Sequence, residues 1–228
     1  LEIEILGRSR HKNILPLLGF CFEKDKKFLI YKYMCNGTLH QWLHSKPQVE
    51  GKKMGWTLRF RIAIGIARGL VWLHHNNVMR VAHLKINSKC ILLDDKFEPK
   101  ISNFGNSNIL MNTSGIPSSC SNFLVPEFSA SPPYKEDVYC FGILLLELVG
   151  AKEPLKWINS TRELKVIIDE CLMRQGFDEE IHEVVGLAET CIRAQKDGAT
   201  SMLQVYQAMR AISLSRNEIC ADLCIDLE

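Results

Sequence analysis

The 228-residue chain lacks both a strong excess of charge and a long hydrophobic run. Its 28 Lys and Arg against 26 Asp and Glu leave a formal charge of +2, so nucleic acid is not expected as a partner. The longest apolar run, residues 138–146, is bounded by Asp137 and Glu147 and falls well short of the ~20 residues that a membrane span requires. The sequence therefore predicts neither nucleic-acid binding nor a direct membrane span.

Cysteine is abundant, yet its spacing is typical of neither a zinc site nor a disulfide framework. The nine cysteines include no C-x-x-C pair, and no His and Cys lie at zinc-finger spacing. We therefore predict no metal site and a reducing compartment. The chain also lacks an initiator Met and a targeting segment, so we expect it to be an excerpt of a longer product.

Hydrophobic periodicity predicts an α+β fold in which helices dominate. A helical pattern over residues 1–7 precedes two strand candidates, residues 14–22 and 27–33, whose charged connection is typical of a hairpin. A long helix capped by Thr57 carries an apolar stripe, and a helix over residues 137–149 is apolar on all sides, which predicts burial at the core. Further strands are predicted at 91–93 and 99–102, and further helices at 162–173, 180–194 and 201–214.

Residues 81–105 carry the most informative pattern, VAHLKINSKCILLDDKFEPKISNFG. In working protein kinases the catalytic loop reads H-R-D-L-x-x-x-N, and a D-F-G motif follows one hairpin later. An ungapped comparison places His83 at the start of this loop and Phe104 with Gly105 at the end of the segment. The segment therefore resembles a kinase active site.

The residues that perform phosphoryl transfer in that family are replaced here. Lys85 stands at the base Asp, Cys90 at the Asn that holds the second metal, and Asn103 at the metal-binding Asp of D-F-G. Asn87 is a further degenerate position. Since magnesium prefers oxygen ligands, these replacements predict that metal binding is lost.

A shifted comparison is the alternative. It would put His83 at the base position and Lys85 at the phosphate-contacting lysine, but it needs an insertion before Ile91. Neither comparison gives the loop a carboxylate. The missing Asp accepts the proton of the substrate hydroxyl, a role worth roughly 10² to 10⁴ in rate, and a protonated lysine cannot take it.

Further motifs resemble the plant leucine-rich-repeat receptor-like kinases from their third conserved helix onward. LEIEILGRSRHKNILPLLGFC is similar to helix C and the fourth strand, FLIYKYMCNGTLHQWLH to the fifth strand, hinge and next helix, and YKEDVYCFGILLLELVG to the central helix. The chain has no G-x-G-x-x-G loop and no V-A-I-K lysine. The resemblance implies a protein kinase-like fold with an N-lobe remnant at 1–36, a mainly helical C-lobe at 37–215 and a tail at 216–228.

The resemblance also implies structural roles. Leu6, His83 and Phe104 would stack as a hydrophobic spine between the lobes, and Asp137 would bind the catalytic-loop backbone. Glu2 matches the helix C glutamate, and since the chain lacks the lysine that would pair with it, we expect Glu2 to have no partner within this chain. The other implied positions are Gly105 of D-F-G, the activation-segment glutamate Glu127, whose usual arginine partner is lost, and the hinge residues Tyr31, Lys32, Tyr33 and Met34.

These losses predict a catalytically inactive pseudokinase domain of receptor-like kinase signalling. ATP and magnesium serve the family, but we expect neither as a cofactor here. The expected partner is a protein, an active receptor-like co-receptor kinase. The expected location is the cytoplasm, or the cytoplasmic face of the plasma membrane within a longer receptor. Two alternatives stay open: an ATP-binding serine/threonine kinase whose N-lobe lies upstream, and a degenerate remnant with no function.

Overall fold

The computed structural model describes residues 1–24, 26–44, 54–76, 79–110, 134–152, 168–173, 175–197 and 200–215. The helices are α1 (Glu2–Arg8), α2 (Leu39–His44), α3 (Trp56–His75), α4 (Tyr134–Gly150), α5 (Asp178–Asp197) and α6 (Met202–Leu214). The strands are β1 (Leu17–Glu23), β2 (Lys26–Tyr31), β3 (Arg80–Ala82), β4 (Ile91–Leu93), β5 (Pro99–Ile101) and β6 (Asn108–Leu110). Short 3₁₀ turns lie at Ser88–Cys90, Phe104–Asn106 and Glu170–Leu172.

The predicted hairpin is confirmed, because β1 and β2 pair as antiparallel neighbours. Phe20 lies opposite Leu29 and Cys21 opposite Phe28 in the register. Phe20 and Phe22 point to one face and Phe28 to the other, and these three side chains are 52%, 56% and 47% exposed. Among the described residues, the hairpin therefore exposes large apolar side chains on both of its faces.

Helix α3 is the centre of the core and positions the β4–β5 hairpin. It begins at Trp56 with Gly55 as the N-cap, so the prediction that Thr57 caps it is wrong. Trp56 is buried and stacks on Phe60 with ring centroids 5.6 Å apart, which draws the first turn into the core. At Gly65 an added Cβ would lie 2.6 Å from Pro99 Cγ, so the absence of a side chain there lets β5 approach the helix.

Helix α4 confirms the prediction of a central helix over residues 137–149. It runs from Tyr134 to Gly150 and packs mainly against α5, with α3 on another side. At Gly142 an added Cβ would lie 2.7 Å from Cys191 Cβ and 2.9 Å from Ala188 O. Only glycine allows α4 and α5 to come this close.

Two of the three later helices are confirmed, and one is wrong in its described part. Helices α5 and α6 match the segments predicted at 180–194 and 201–214. Of residues 162–173, those at 168–173 contain the 3₁₀ turn Glu170–Leu172 and no α-helix, and 162–167 lie outside the described residues. Asp169 causes the difference: its carboxylate accepts from Cys171 N–H at 3.1 Å and pairs with buried Arg59 at 2.6 Å. Side-chain bonds to nearby backbone compete with helix formation.

The α+β class with a dominant helical part is confirmed by these elements. Within the described residues, none of the helices has the length and apolar character that crossing a membrane requires. The predicted boundaries at residues 36 and 215 stay predictions. The predicted tail at 216–228 lies outside the described residues.

Candidate functional site

The carboxylate of Asp137 fixes the loop that begins at His83. It is fully buried and accepts hydrogen bonds from the backbone N–H groups of His83 at 2.8 Å and Leu84 at 2.6 Å. His74 at the end of α3 donates a third bond at 2.8 Å. Leu84 has a φ of 63°, a left-handed conformation that a leucine rarely adopts. The paired bonds from Asp137 hold this strained residue in place.

The ring of His83 joins this loop to the segment after β5. His83 is fully buried; its Nε2 donates to the Ser102 carbonyl at 2.9 Å, and its Nδ1 accepts from Lys85 N–H at 3.3 Å. The ring also meets Phe104 edge to face, with centroids 5.0 Å apart. Burial lowers the pKa of His83. Both ring nitrogens are satisfied only when the imidazole is neutral, because a second proton would face the Lys85 N–H.

The residues predicted to form a spine lie together. Leu6 and Phe104 are buried in the same hydrophobic core, and α1 contacts the 3₁₀ turn Phe104–Asn106. His83 packs on Phe104 from the loop side. Helix α1, the loop and the turn therefore share one packing unit. The family role of this unit stays a prediction.

The degenerate positions lie close together, and hydrogen bonds among them stabilise the loop that begins at His83. The Lys85 carbonyl accepts from Asn87 Nδ2 at 2.9 Å and from Cys90 Sγ at 3.3 Å. Asn87 Oδ1 caps the next 3₁₀ turn by accepting from Lys89 N–H at 2.9 Å. Cys90 is buried and its Sγ lies 3.7 Å from Asn103 Nδ2. Burial raises the pKa of the Cys90 thiol, which disfavours the thiolate that would bind a metal.

Asn103 is exposed and occupies the left-handed region at φ 68° and ψ 58°. Asparagine tolerates this conformation better than most residues. Lys85 and Gly105 are also exposed. The three positions that carry the chemistry in kinases thus present an ammonium, a buried neutral thiol and an amide. The loop that carries them is ordered, but none of these three side chains can accept the proton of a substrate hydroxyl.

Glu2 has a partner that the sequence did not reveal. The Tyr31 hydroxyl donates to Glu2 Oε1 at 2.9 Å. Burial, followed by the hydrogen bond and the charge of Glu2, raises the pKa of Tyr31. The expectation that Glu2 is left unpaired in this chain is therefore wrong. A tyrosine at the end of β2 and a glutamate on α1 are joined only by the tertiary fold.

The other hinge candidates follow Tyr31 directly. Lys32 and Tyr33 are exposed, and Met34 is buried. The Lys32 N–H donates to the Pro16 carbonyl at 3.1 Å, and the Met34 carbonyl accepts from Gly37 N–H at 3.1 Å. Part of the hinge backbone is therefore used within the protein. Glu127 lies outside the described residues.

The loop held by Asp137, the packed pair of His83 and Phe104, and the hinge define a kinase-like domain. A family model described as protein tyrosine and serine/threonine kinase matches residues 1–209, so the chain belongs to this family. A solved structure of the pseudokinase domain of BIR2, described as an immune regulator of the RLK/Pelle family, is similar with a TM-score of 0.75 and 34% identity. The match covers 95% of this chain and 69% of that one.

Curated relatives from Arabidopsis thaliana give the same result. A probably inactive leucine-rich repeat receptor-like protein kinase is 37% identical over 95% of the chain and 40% of its own length. The inactive receptor-like kinase BIR2 is 36% identical over 93% of the chain and 38% of its own length. A probable receptor-like serine/threonine-protein kinase, not named inactive, is 34% identical over 92% of the chain. The chain spans about 40% of the length of these relatives. The predicted resemblance is confirmed.

His83 should make the protein less stable in mild acid. Its folded-state pKa is lowered, so the unfolded chain takes up the proton first, below about 6.5. The contribution of neutral His83 is complete above that value and is lost as the pH falls. His83→Gln, which keeps a donor for the Ser102 carbonyl, should flatten the pH slope of the unfolding free energy by up to about 1.4 kcal/mol per pH unit. Urea denaturation between pH 7 and pH 5 measures the slope.

Phe104→Leu is the matched control, because it alters the neighbouring ring without removing a titratable group. Its slope should equal that of the wild type. Equal slopes for His83→Gln and the wild type would contradict the assignment of His83 as a buried neutral histidine.

Proposed function

We propose that the chain is a catalytically inactive kinase-like domain that acts by binding another protein in receptor-like kinase signalling. One observation carries the proposal. Asp137 keeps the loop ordered through His83 and Leu84, while Lys85 and Cys90 on that same loop offer no carboxylate. A domain that keeps the framework of its loop without the reacting groups is suited to binding, not to turnover.

The geometry supports the loss of phosphoryl transfer on three counts. Transfer depends on a positioned base and on metal ions that neutralise the phosphates. Lys85 is a cation at the base position, and the buried thiol of Cys90 replaces an oxygen ligand. Asn103 offers one neutral amide oxygen where the family has a carboxylate. We therefore propose that neither ATP nor Mg²⁺ is a cofactor.

The similar proteins support the same direction, since several carry the words inactive or pseudokinase in their names. Two observations support the alternative of a serine/threonine kinase. Some relatives are not named inactive, and the chain spans about 40% or less of the length of those relatives. It would require an N-lobe elsewhere in a longer product. It would also require a base that the described loop does not contain.

The proposed partner is an active receptor-like co-receptor kinase, met in the cytoplasm or at the cytoplasmic face of the plasma membrane. The physical support is a preformed helical surface. Helices α5 and α6 share one core with α3 and the buried α4, so the exposed faces of α3, α5 and α6 are fixed before a partner arrives. Binding through a preformed surface avoids the free-energy cost of ordering it.

The chain should transfer no phosphate, and repair of two positions should not change that. We expect Lys85→Asp combined with Asn103→Asp to remain inactive, because Cys90 persists at a metal position and the chain has no G-x-G-x-x-G loop. Losses among residues that act as a unit are not restored singly. Incorporation of radiolabelled phosphate from Mg-ATP is the measurement. Transfer that persists when the wild-type chain is purified to homogeneity would contradict the proposal of an inactive domain.

Partner binding should depend on the helical core and not on Lys85. Leu145 is 1% exposed in α4, so Leu145→Asp should unfold the core and abolish capture by a co-receptor kinase domain. Lys85→Ala should bind like the wild type, with and without ATP. Leu214→Asp, a matched change at a leucine that is 47% exposed, controls for the added charge.

A pull-down with purified kinase domains, with circular dichroism to follow folding, reports both effects. Capture of the unfolded Leu145→Asp chain at the wild-type level would defeat the proposal. So would loss of capture by a folded Lys85→Ala chain.

A further inference from the structure

Two histidines and a glutamate meet beside the loop, although 103 residues separate His44 from Glu147. His40 and His44 lie on α2, and Glu147 lies near the end of α4. His44 Nε2 is 2.7 Å from Glu147 Oε1, and His40 Nδ1 is 3.9 Å from the same oxygen. The three potential ligand atoms all lie within 4.8 Å of one another.

The fold gives this cluster a defined frame. The spacing of four residues places both histidines on one face of α2, and their ring centroids are 4.4 Å apart. Helix α2 packs against the 3₁₀ turn Ser88–Cys90. From that turn, Ser88 donates to Glu147 Oε1 at 2.6 Å and lies 3.2 Å from His40 Nδ1. The hydroxyl thus orients both the carboxylate and the ring.

The three side chains of the cluster are buried to different degrees, with the glutamate the most buried and His40 the most accessible to solvent. The Glu147 side chain is 7% exposed, and those of His44 and His40 are 17% and 26% exposed. A buried carboxylate needs a compensating positive charge or donors. Among the described residues, the groups in contact with it are the two imidazoles and the Ser88 hydroxyl. No lysine or arginine of the described residues forms an ion pair with it.

We propose that His40, His44 and Glu147 bind one Zn²⁺ ion. Two imidazoles and one carboxylate form a ligand set that proteins use for zinc, with water at the fourth position. Zinc bonds of about 2.0–2.1 Å in a tetrahedron set ligand atoms about 3.3 Å apart. The separations of His44 Nε2 and His40 Nδ1 from Glu147 Oε1, 2.7 and 3.9 Å, lie on either side of this value, and all three ligand atoms lie within 4.8 Å of one another. Side-chain rotations would bring them to the tetrahedral separation. The ion takes the place of the proton on His44 Nε2, and His40 binds as the neutral tautomer that carries its proton on Nε2, so that Nδ1 offers its lone pair to zinc instead of donating to Ser88 Oγ.

This site is separate from the positions where a kinase holds magnesium, since it uses none of Lys85, Cys90 and Asn103. The sequence-based expectation of no metal site rested on cysteine spacing and on His and Cys pairs. The present ligands instead combine a His-x-x-x-His pair on a short helix with a glutamate from a distant helix. Bound zinc would join α2 to α4 and so brace the helical part of the protein.

The direct test is zinc binding by the 228-residue chain after removal of metal with a chelator. We expect one equivalent of Zn²⁺ to bind in competition with a chromophoric chelator, and the melting temperature to rise with zinc concentration. His40→Ala, His44→Ala and Glu147→Gln should each weaken binding more than 100-fold. Ser88→Ala, which removes only the orienting hydroxyl, should weaken it by about 10-fold.

Variants and controls separate the site from unfolding. Glu147→Gln keeps an acceptor for Ser88, and circular dichroism in the presence of chelator checks that each variant is folded. His182→Ala on the exposed side of α5 is the matched control and should bind zinc like the wild type. A wild-type chain that binds no zinc, or full affinity in the His40→Ala and His44→Ala variants, would overturn the proposal and leave a plain hydrogen-bond network.

Cobalt distinguishes the proposed ligands from thiols, of which Cys21 and Cys35 are exposed. The wild-type chain loaded with Co²⁺ should show the visible bands of a four-coordinate site with nitrogen and oxygen ligands. It should lack the near-ultraviolet band of thiolate-to-cobalt charge transfer, because thiolates are not in the ligand set. A strong thiolate band would assign the bound metal to cysteine and overturn the proposal. Cobalt needs no variant, so this test holds even if a variant fails to fold.

Discussion

A single buried carboxylate, that of Asp137, organises the centre of this protein. It accepts bonds from the backbone of His83 and Leu84 and from the ring of His74. A buried charge is costly unless its partners satisfy it, and here three donors do so. Leu84 would relax from its left-handed conformation without them. Because the ring of His83 in turn holds the Ser102 carbonyl, the position of Asp137 determines how the loop meets the segment that leads to Phe104.

The atoms that hold the loop in place are mostly backbone atoms, whereas the groups that react in kinases are side chains. The loop framework can therefore persist while the reacting side chains are replaced. Asp137 binds backbone N–H groups, which every residue type except proline supplies. Residues 85 and 103 are exposed, so a lysine and an asparagine fit there without disturbing the core. At position 90 a thiol is buried and returns its hydrogen bond to the Lys85 carbonyl. An ordered loop is therefore compatible with replacement of the residues that react in the kinase family.

The sequence predicted those parts of the fold that a local hydrophobic pattern or a sequence motif indicates. The hairpin of β1 and β2 and the central helix α4 followed from hydrophobic periodicity, and the loop from a linked set of motifs. The N-cap of α3 was misplaced locally, since it is Gly55 and not Thr57, whereas the other failures depend on contacts that are distant in sequence. Asp169 lies in a turn rather than a helix because it forms an ion pair with Arg59. Glu2 of α1 accepts a hydrogen bond from Tyr31 of β2. The meeting of His44 with Glu147 is of the same kind, since no periodicity in either helix indicates the other.

The central claim is that Asp137 holds the framework and that the side chain of Lys85, unlike its backbone, contributes nothing to it. The unfolding free energies of Asp137→Ala and Lys85→Ala, measured by urea denaturation, test this most directly. Asp137→Ala leaves two backbone N–H groups and His74 without their acceptor, so it should lower the unfolding free energy by about 3 kcal/mol or more. Lys85→Ala should change it by less than about 0.5 kcal/mol, and so should Lys135→Ala, a matched change at the second residue of α4. Equal losses for Asp137→Ala and Lys85→Ala would contradict the account.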